Sequence, residues 1–525
     1  MTPPAAPTGL AALVRDAARR RPDAPAVVDG DTRLSWGELD ALVDRSAAAL
    51  AARGLRRGDR VAVQLPNGVA WLRAVLGALR AGLVVVPVNT AYTDAEVAHV
   101  LTDSGASLLV AAGEREPVAG VPVLAGPPDA DGDPPADDDD PAALSFLAYT
   151  SGTTGRPRGA MLTAAALRAN QEQCLALDPP PVRSDDRVLL VLPLFHVYGL
   201  NAGFGLVAAT GACAVLLPAF DPRAALEVVE RERVTAVPGA PPMYQAWLAV
   251  ADAEGGDTRL RAALASVRMA SSGAAPLPEE TWTAMLDRAG VRVWEGYGLT
   301  EACPVVASTL ATGRAKPACI GGPLPGVEVA LREAGGDPDG GDPDAGEGPG
   351  ELWVRGPNLF AGFWPDGADG PDAAGWLATG DLAHRDADGD LRLVDRRSDL
   401  VLVSGFNVYP AEVERVLDAH PAVAESAVIG VPDARTGAAV VAVVVTVPGA
   451  EVDAAALRAH AAASLARYKV PTTVVFRPAL PHSLTGKVSR ARLRELGLET
   501  GEPATDEPAT GGPATGEPST GDVAP

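Results

Sequence analysis

The feature that most constrains the fold is an alternation of helical and strand-like segments that begins near residue 35. "SWGELDALVDRSAAALAARG" opens on Ser35 with Glu38 three residues on, the reciprocal pair that caps a helix start, and it stops at Gly54. "DRVAVQLP" then reads as a buried strand, "AWLRAVLGALRAG" as a helix and "LVVVPVN" as a strand. Thr93 and Glu96 form a second capping pair before "VAHVLTDSG", and "SLLVAA" is again a strand. Apolar strands that alternate with amphipathic helices bury themselves best as parallel sheets with helices laid over them, so the predicted class is α/β. A further helix after Pro410 ("AEVERVLDAH") and the strands "ESAVIGVP" and "AAVVAVVVTV" extend the pattern toward the C-terminal end.

A chain of 525 residues with 47 % hydrophobic content is too long for one ordinary domain, and two to four structural units are expected. The formal net charge of −23 is concentrated. Residues 128–141, 335–349 and 498–525 hold seven, five and six acids and no Lys or Arg, so these stretches supply eighteen of the surplus. The acidity argues against a nucleic-acid or anionic-membrane surface, while the near-neutral remainder leaves an anionic substrate open. The first two acidic stretches, rich in Gly and Pro, read as solvated loops. The last contains the pentads "EPATD", "EPATG", "GPATG" and "EPSTG" and reads as a disordered tail. Cys174, Cys213, Cys303 and Cys319 form no CxxC pair and the six histidines show no ligand spacing, so neither a disulfide framework nor structural zinc is expected. The N-terminus lacks the pattern of a signal peptide. The most apolar run, 438–447, is far short of the roughly 20 residues that span a bilayer. A cytoplasmic chain without a transmembrane segment is expected.

Five segments carry chemistry. "YTSGTTGRPRG" (149–159) joins glycines, which let a backbone approach a ligand, to small hydroxyls and free N–H groups that can wrap phosphate oxygens. Arg156 and Arg158 add charge. The spacing is not that of a Walker A loop, and a Gly/Thr/Ser stretch taken alone is more often only a loop. "LPLFHVYGL" (192–200) contributes His196. "WEGYGLTE" (294–301) contributes Glu301, a carboxylate of the kind that holds Mg²⁺ beside phosphates. "WLATGDLAHRDADGDLRLVDRRSDLVLVSGFNVYPAEVE" (376–414) contributes Asp381 and Arg396, both able to hydrogen-bond ribose hydroxyls. "LPHSLTGKVSRARLRE" (480–495) places Lys487 in a loop ahead of a helix.

In this order and spacing the five segments resemble the acyl-adenylate-forming (AMP-binding) superfamily, which includes acyl-CoA synthetases, peptide-synthetase adenylation domains and firefly luciferase. The likeness covers roughly residues 10–497, and "SSGAAPL" (271–277) and "IGGPLPGVEV" (320–329) also fit. "DLVLVSGFNVYPAEVE" looks most like the fatty acyl-CoA synthetase branch. "LFHVYGLN" stands where peptide-synthetase adenylation domains usually carry an amine-binding Asp, which disfavours an amino-acid substrate.

The resemblance implies a large multi-subdomain N-terminal domain (1–396) of helix-covered sheets that binds AMP and the acid. It also implies a small mobile α+β lid (397–497), with the tail at 498–525. The implied reaction uses ATP, Mg²⁺ and coenzyme A. A carboxylic acid, expected to be a medium- or long-chain fatty acid, becomes an acyl-AMP with release of pyrophosphate, and the acyl group then passes to the thiol. A ligase that charges a carrier protein, or one for aryl or dicarboxylic acids, is the alternative.

By the same likeness Thr150, Ser151, Gly152, Thr153, Thr154, Gly155 and Arg158 hold the β- and γ-phosphates. Gly273, Ala274, Tyr297 and Gly298 frame the adenine, and Asp381 and Arg396 fix the ribose. Thr300 contacts the α-phosphate, Glu301 holds the metal, Lys487 bridges the carboxylate and α-phosphate, and His196 lies near the acyl carboxylate or gates its tunnel. The hinge falls at Ser398, and Gly405 belongs to the thiol channel. Two positions depart from the family pattern: Arg158 stands where Lys is usual, and Ser398 where the hinge usually has Asp or Lys.

Overall fold

The computed structural model describes residues 9–135, 140–151, 157–253, 256–332, 349–403, 406–433, 436–482 and 487–495. It is a mixed α/β structure with a large N-terminal domain and a small C-terminal one. Both capping pairs form. Ser35 Oγ accepts from the Glu38 N–H at 3.2 Å while Glu38 Oε2 accepts from the Ser35 N–H at 2.7 Å, and helix Trp36–Ala52 follows. Thr93 and Glu96 repeat the arrangement at the start of helix Asp94–Ser104. The strands between these helices are Arg60–Gln64, Val84–Pro87 and Leu108–Ala111, and they pair in parallel. All three bury nearly every side chain, because helices cover both faces.

Among the described residues the N-terminal domain has three sheets. One has six strands, in the order Val123–Ala125, Leu108–Ala111, Arg60–Gln64, Val84–Pro87, Leu144–Ser151, Pro157–Thr163. A second has nine strands, with Arg187–Leu190, Ala236–Gly239, Met269–Ser272 and Val293–Gly298 as its parallel centre. Helices pack between these sheets, and the core they share includes the fully buried Trp36, Trp71 and Phe204. The third is antiparallel: Glu328–Arg332, Gly350–Arg355, Trp376–Arg385 and Leu391–Arg396. A single turn, Arg397–Asp399, leads from its last strand into the small domain. That domain is built on strands Val423–Asp433, Gly437–Thr446 and Thr473–Phe476, with helices Pro410–Asp418 and Ala454–Ser464 on one face. No helix among the described residues is long and apolar enough to cross a membrane.

The acidic stretch at 128–141 departs from a purely solvated loop. Arg45 pairs with Asp129 and Asp131, Arg73 with Asp129, and Ser46 Oγ donates to the Pro128 carbonyl. Two helices supply these partners, so charge pairing fixes the start of a segment that composition alone marks as free. The acidic stretch at 335–348 and the tail at 498–525 lie outside the described residues.

Candidate active site

Strands Met269–Ser272 and Val293–Gly298 run side by side in parallel and end in "GAAPL" and "LTE". Ligands of open α/β sheets collect beyond such carboxyl ends. A cavity of about 720 Å³ lies there, lined by Gly273, Ala274, Tyr297, Gly298, Thr300 and Glu301 among others. Ala274 has φ +71°, a left-handed conformation that a side chain tolerates only where its surroundings enforce it. At Gly298 a Cβ would sit 2.1 Å from the Pro304 carbonyl oxygen, so only glycine allows the strand to close on the loop that follows. The Leu299 N–H donates to that carbonyl, and the single turn Thr300–Ala302 turns Thr300 and Glu301 to the cavity.

Asp381, on strand Trp376–Arg385, forms part of another wall. The residue is 9 % exposed and its Oδ2 accepts from the Tyr297 hydroxyl at 2.5 Å, which joins two of the expected nucleotide residues. Arg396 lies directly opposite Asp381 in the antiparallel ladder. The turn between the two strands is clamped to the nine-stranded sheet's neighbouring loop by Lys316, whose ammonium lies 2.7–2.9 Å from Asp386, Asp388 and Asp390.

The His196 segment runs into a π-helix, Tyr198–Gly205, a local widening common at functional sites. Buried Asn201 locks it in place: its amide donates to the Leu167 and Cys303 carbonyls and accepts from Gln171. The Tyr198 N–H donates to His196 Nδ1 at 3.3 Å, which puts the imidazole proton on Nε2. Burial, and then the nearby Lys487 ammonium, push the His196 pKa down to about 4, so the ring is neutral at pH 7. Lys487 comes from the small domain, beside the bridge His482–Val488, and lines the same cavity.

Strands Leu144–Ser151 and Pro157–Thr163 form an antiparallel hairpin. Helix Asp94–Ser104 braces both of its stems. The Tyr149 hydroxyl donates to Asp103 at 2.6 Å, and His99 Nε2 meets the Pro157 carbonyl at 3.1 Å. Thr150 and Arg158 line the cavity. Of the other expected site residues, Gly152, Thr153, Thr154, Gly155 and Gly405 lie outside the described residues, as do the side chains of Ser151, Arg396 and Ser398. Those described are therefore gathered around one cavity.

Sequence motifs missed part of the wall. Cys174, Leu177, Pro181 and Leu206 supply apolar surface, while the quoted motifs did contain Tyr198 and Ser271, which add hydroxyl-bearing side chains to the lining. Ser272 Oγ is buried and has no hydrogen-bond partner among the described residues. No spacing rule could have found the four apolar positions, because they come from separate elements. Among the described residues the charged and polar groups form a coherent set around the cavity: the Lys487 ammonium, the Arg158 guanidinium, the carboxylates of Glu301, Asp369 and Asp381, the Thr300 hydroxyl and the neutral His196 imidazole. Mg²⁺ fits it, since that ion takes one or two carboxylates together with phosphate oxygens and Glu301 faces the cavity.

The family model for the AMP-binding enzyme matches residues 14–364, and that for the AMP-binding enzyme C-terminal domain matches 412–487. A feruloyl-CoA synthase of Amycolatopsis sp is 41 % identical over 489 residues, 91 % of this chain and 96 % of the relative. A long-chain-fatty-acid–CoA ligase of Bacillus subtilis is 33 % identical over 538 residues, 93 % of this chain and 94 % of the relative. Among solved structures, ATP-bound MatB from Rhodopseudomonas palustris superposes with a TM-score of 0.83 at 32 % identity, covering 94 % of this chain and 99 % of that one. The apo form of the same protein superposes at 0.72.

Proposed function

The chain belongs to the AMP-binding enzyme family and is an ATP-dependent, adenylate-forming acid–CoA ligase, and we propose that its acid carries a compact apolar tail with an oxygen-bearing aromatic ring. The observation that carries this reading is the mixed wall, where apolar Cys174, Leu177, Pro181 and Leu206 share the cavity with the hydroxyl-bearing Tyr198 and Ser271. A bare alkyl chain would cover the hydroxyls of that wall with hydrocarbon, whereas a ring hydroxyl or methoxyl could meet them. The relative that acts on a feruloyl group is also more similar to this chain than the long-chain ligase of Bacillus. A medium- or long-chain fatty acid is the second reading, supported by the match to that ligase over 93 % of this chain.

In the adenylation step an oxygen of the acid forms a bond to the α-phosphorus of ATP, and the bond to the pyrophosphate oxygen breaks. The thiol of coenzyme A then attacks the acyl carbon, and AMP leaves. The chain's contribution is position and charge. Lys487 neutralises the negative charge that gathers between the carboxylate and the α-phosphate. Neutral His196 offers its Nε2–H beside the carboxylate without competing with Lys487 for charge. Thr300 contacts the α-phosphate, and Glu301 would hold Mg²⁺, which adds its own charge to the phosphates when bound. Asp381, fixed by Tyr297, takes the ribose together with Arg396. Gly273, Ala274, Tyr297 and Gly298 border the adenine, and the hairpin residues from Thr150 to Gly155, with Arg158, take the outer phosphates.

The lid, residues 397–497, then turns at Ser398 to withdraw Lys487 and bring Gly405 to the thiol. The higher TM-score against ATP-bound MatB than against its apo form agrees with Lys487 lying in the cavity in this conformation. Arg158 and Lys487 are the cations among the described lining residues, so a second carboxylate on the acid would lack a partner of its own. The deciding experiment is carboxylate-dependent ATP–pyrophosphate exchange against graded alkanoates, hydroxycinnamates, benzoate and malonate. Hydroxycinnamates should exceed every alkanoate by at least about 10-fold in kcat/KM. The reverse order would hand the site to fatty acids.

A further inference from the structure

Arg158 does not reach into open space. Its Nη1 donates to Asp369 Oδ2 at 2.7 Å, and its guanidinium lies 4.1 Å from the centroid of the Phe363 ring. Both partners belong to one loop that runs along the phosphate hairpin. The Trp364 N–H donates to the Gly159 carbonyl, the Met161 N–H to Gly362, and the Ala361 N–H to Met161. Asp369 sits at φ +53°, a conformation that Asp adopts more readily than most residues, and this turns its carboxylate to the cavity wall that Arg158 also lines.

We propose that Asp369 is a positioning residue that holds Arg158 between turnovers, and that it competes with the triphosphate and pyrophosphate for the guanidinium. The proposal rests on the reading of Arg158 as an outer-phosphate cation. The Asp369 side chain is 70 % exposed and that of Arg158 33 %, so water screens the pair and a polyphosphate of higher charge can displace the single carboxylate. When pyrophosphate is to leave, the same carboxylate recaptures the cation. The guanidinium can slide from carboxylate to phosphate while it stays stacked on Phe363, because its planar fork bonds at the edge and stacks through the face. A lysine would lose both features, which gives a physical reason for Arg at this position.

The test is a double-mutant cycle on the full-length enzyme at low ionic strength, with Asp369→Asn, Arg158→Gln and the pair. Asp369→Asn should lower both the KM for ATP and the inhibition constant of pyrophosphate by roughly 2- to 5-fold, and leave the KM for the acid unchanged. Asp369→Glu should restore both constants, and the effect should shrink as salt rises. In the Arg158→Gln background, Asp369→Asn should do nothing. If it lowers both constants equally there, the carboxylate acts by repelling phosphate directly and the proposal is wrong. If Arg158→Gln raises the ATP KM while Asp369→Asn changes nothing, the hold fails but the phosphate role survives. If Arg158→Gln leaves the ATP KM unchanged, the underlying reading of Arg158 falls, and the proposal with it.

Discussion

The proposed nucleotide wall and the proposed acyl wall of the cavity are written in the chain in different ways. Tyr297, Gly298, Thr300 and Glu301 come from one strand end and the turn that follows it, and Gly273 and Ala274 from just beyond the neighbouring strand end. The acyl wall takes Cys174 from a helix, Leu177 and Pro181 from the loop after it, and Ala202 and Leu206 from the π-helix and its continuation. A nucleotide never varies, so one fixed set of turns can serve it. An acid tail varies between enzymes, and its size is set by whichever side chains several helices happen to present. The first wall should therefore govern whether any acid reacts, and the second which acid does.

The largest expected effect comes from the group that serves every acid. Lys487→Ala should lower acid-dependent ATP–pyrophosphate exchange by about 10³-fold, as removal of a preorganised charge at the reacting centre commonly does. The loss should be the same for a good and a poor acid. A loss that depends on the acid would place Lys487 with the acyl wall. Next in size is Ala202→Phe, which fills space on the π-helix face of the cavity. It should cut kcat/KM for ring-bearing acids by roughly 10- to 100-fold, raise the relative rate with short acids, and leave the KM for ATP within about 2-fold. An equal loss for all acids would mean that the two walls are not separable.

The same division explains what the sequence made legible. Strands Arg60–Gln64 and Val84–Pro87 and helices Trp36–Ala52 and Asp94–Ser104 could be read because caps and apolar periodicity are local signals. Thr300, Glu301 and Asp381 could be read because each sits in a contiguous motif. The Tyr297–Asp381 hydrogen bond spans 84 residues and the Arg158–Asp369 pair spans 211, and no local pattern encodes either. The pinning of Asp129 by Arg45 and Arg73 was hidden for the same reason, since composition counts charges without regard to their partners. The sequence led to the expectation that His196 lies near the acid, without revealing that Tyr198 fixes its tautomer or that burial, and then Lys487, keeps it neutral.

The smallest expected effect tests the strand beneath both walls. Glu295 is 5 % exposed on strand Val293–Gly298, and its Oε2 accepts from the Leu277 N–H at 3.2 Å, which ties the adenine-side loop to the strand. Burial raises its pKa to about 7, with the backbone N–H groups of Leu277, Cys319 and Ala318 and the Arg392 charge opposing the rise. The folded chain therefore keeps a proton that the unfolded chain has already lost. As pH climbs from about 4.5 to 7 the folded state is progressively penalised, and above 7 the penalty is complete, up to about 3 kcal/mol. Glu295→Gln keeps the shape and removes the ionisation. Its apparent Tm should match the wild type near pH 5 and exceed it by a few degrees near pH 8. An equal Tm difference at both pH values would mean that the carboxyl does not titrate in this range. Kinetics on the same variant sharpen the division of the walls: a changed KM for ATP with an unchanged KM for the acid would assign this strand to the nucleotide wall. Equal changes would make it the shared floor on which both walls stand.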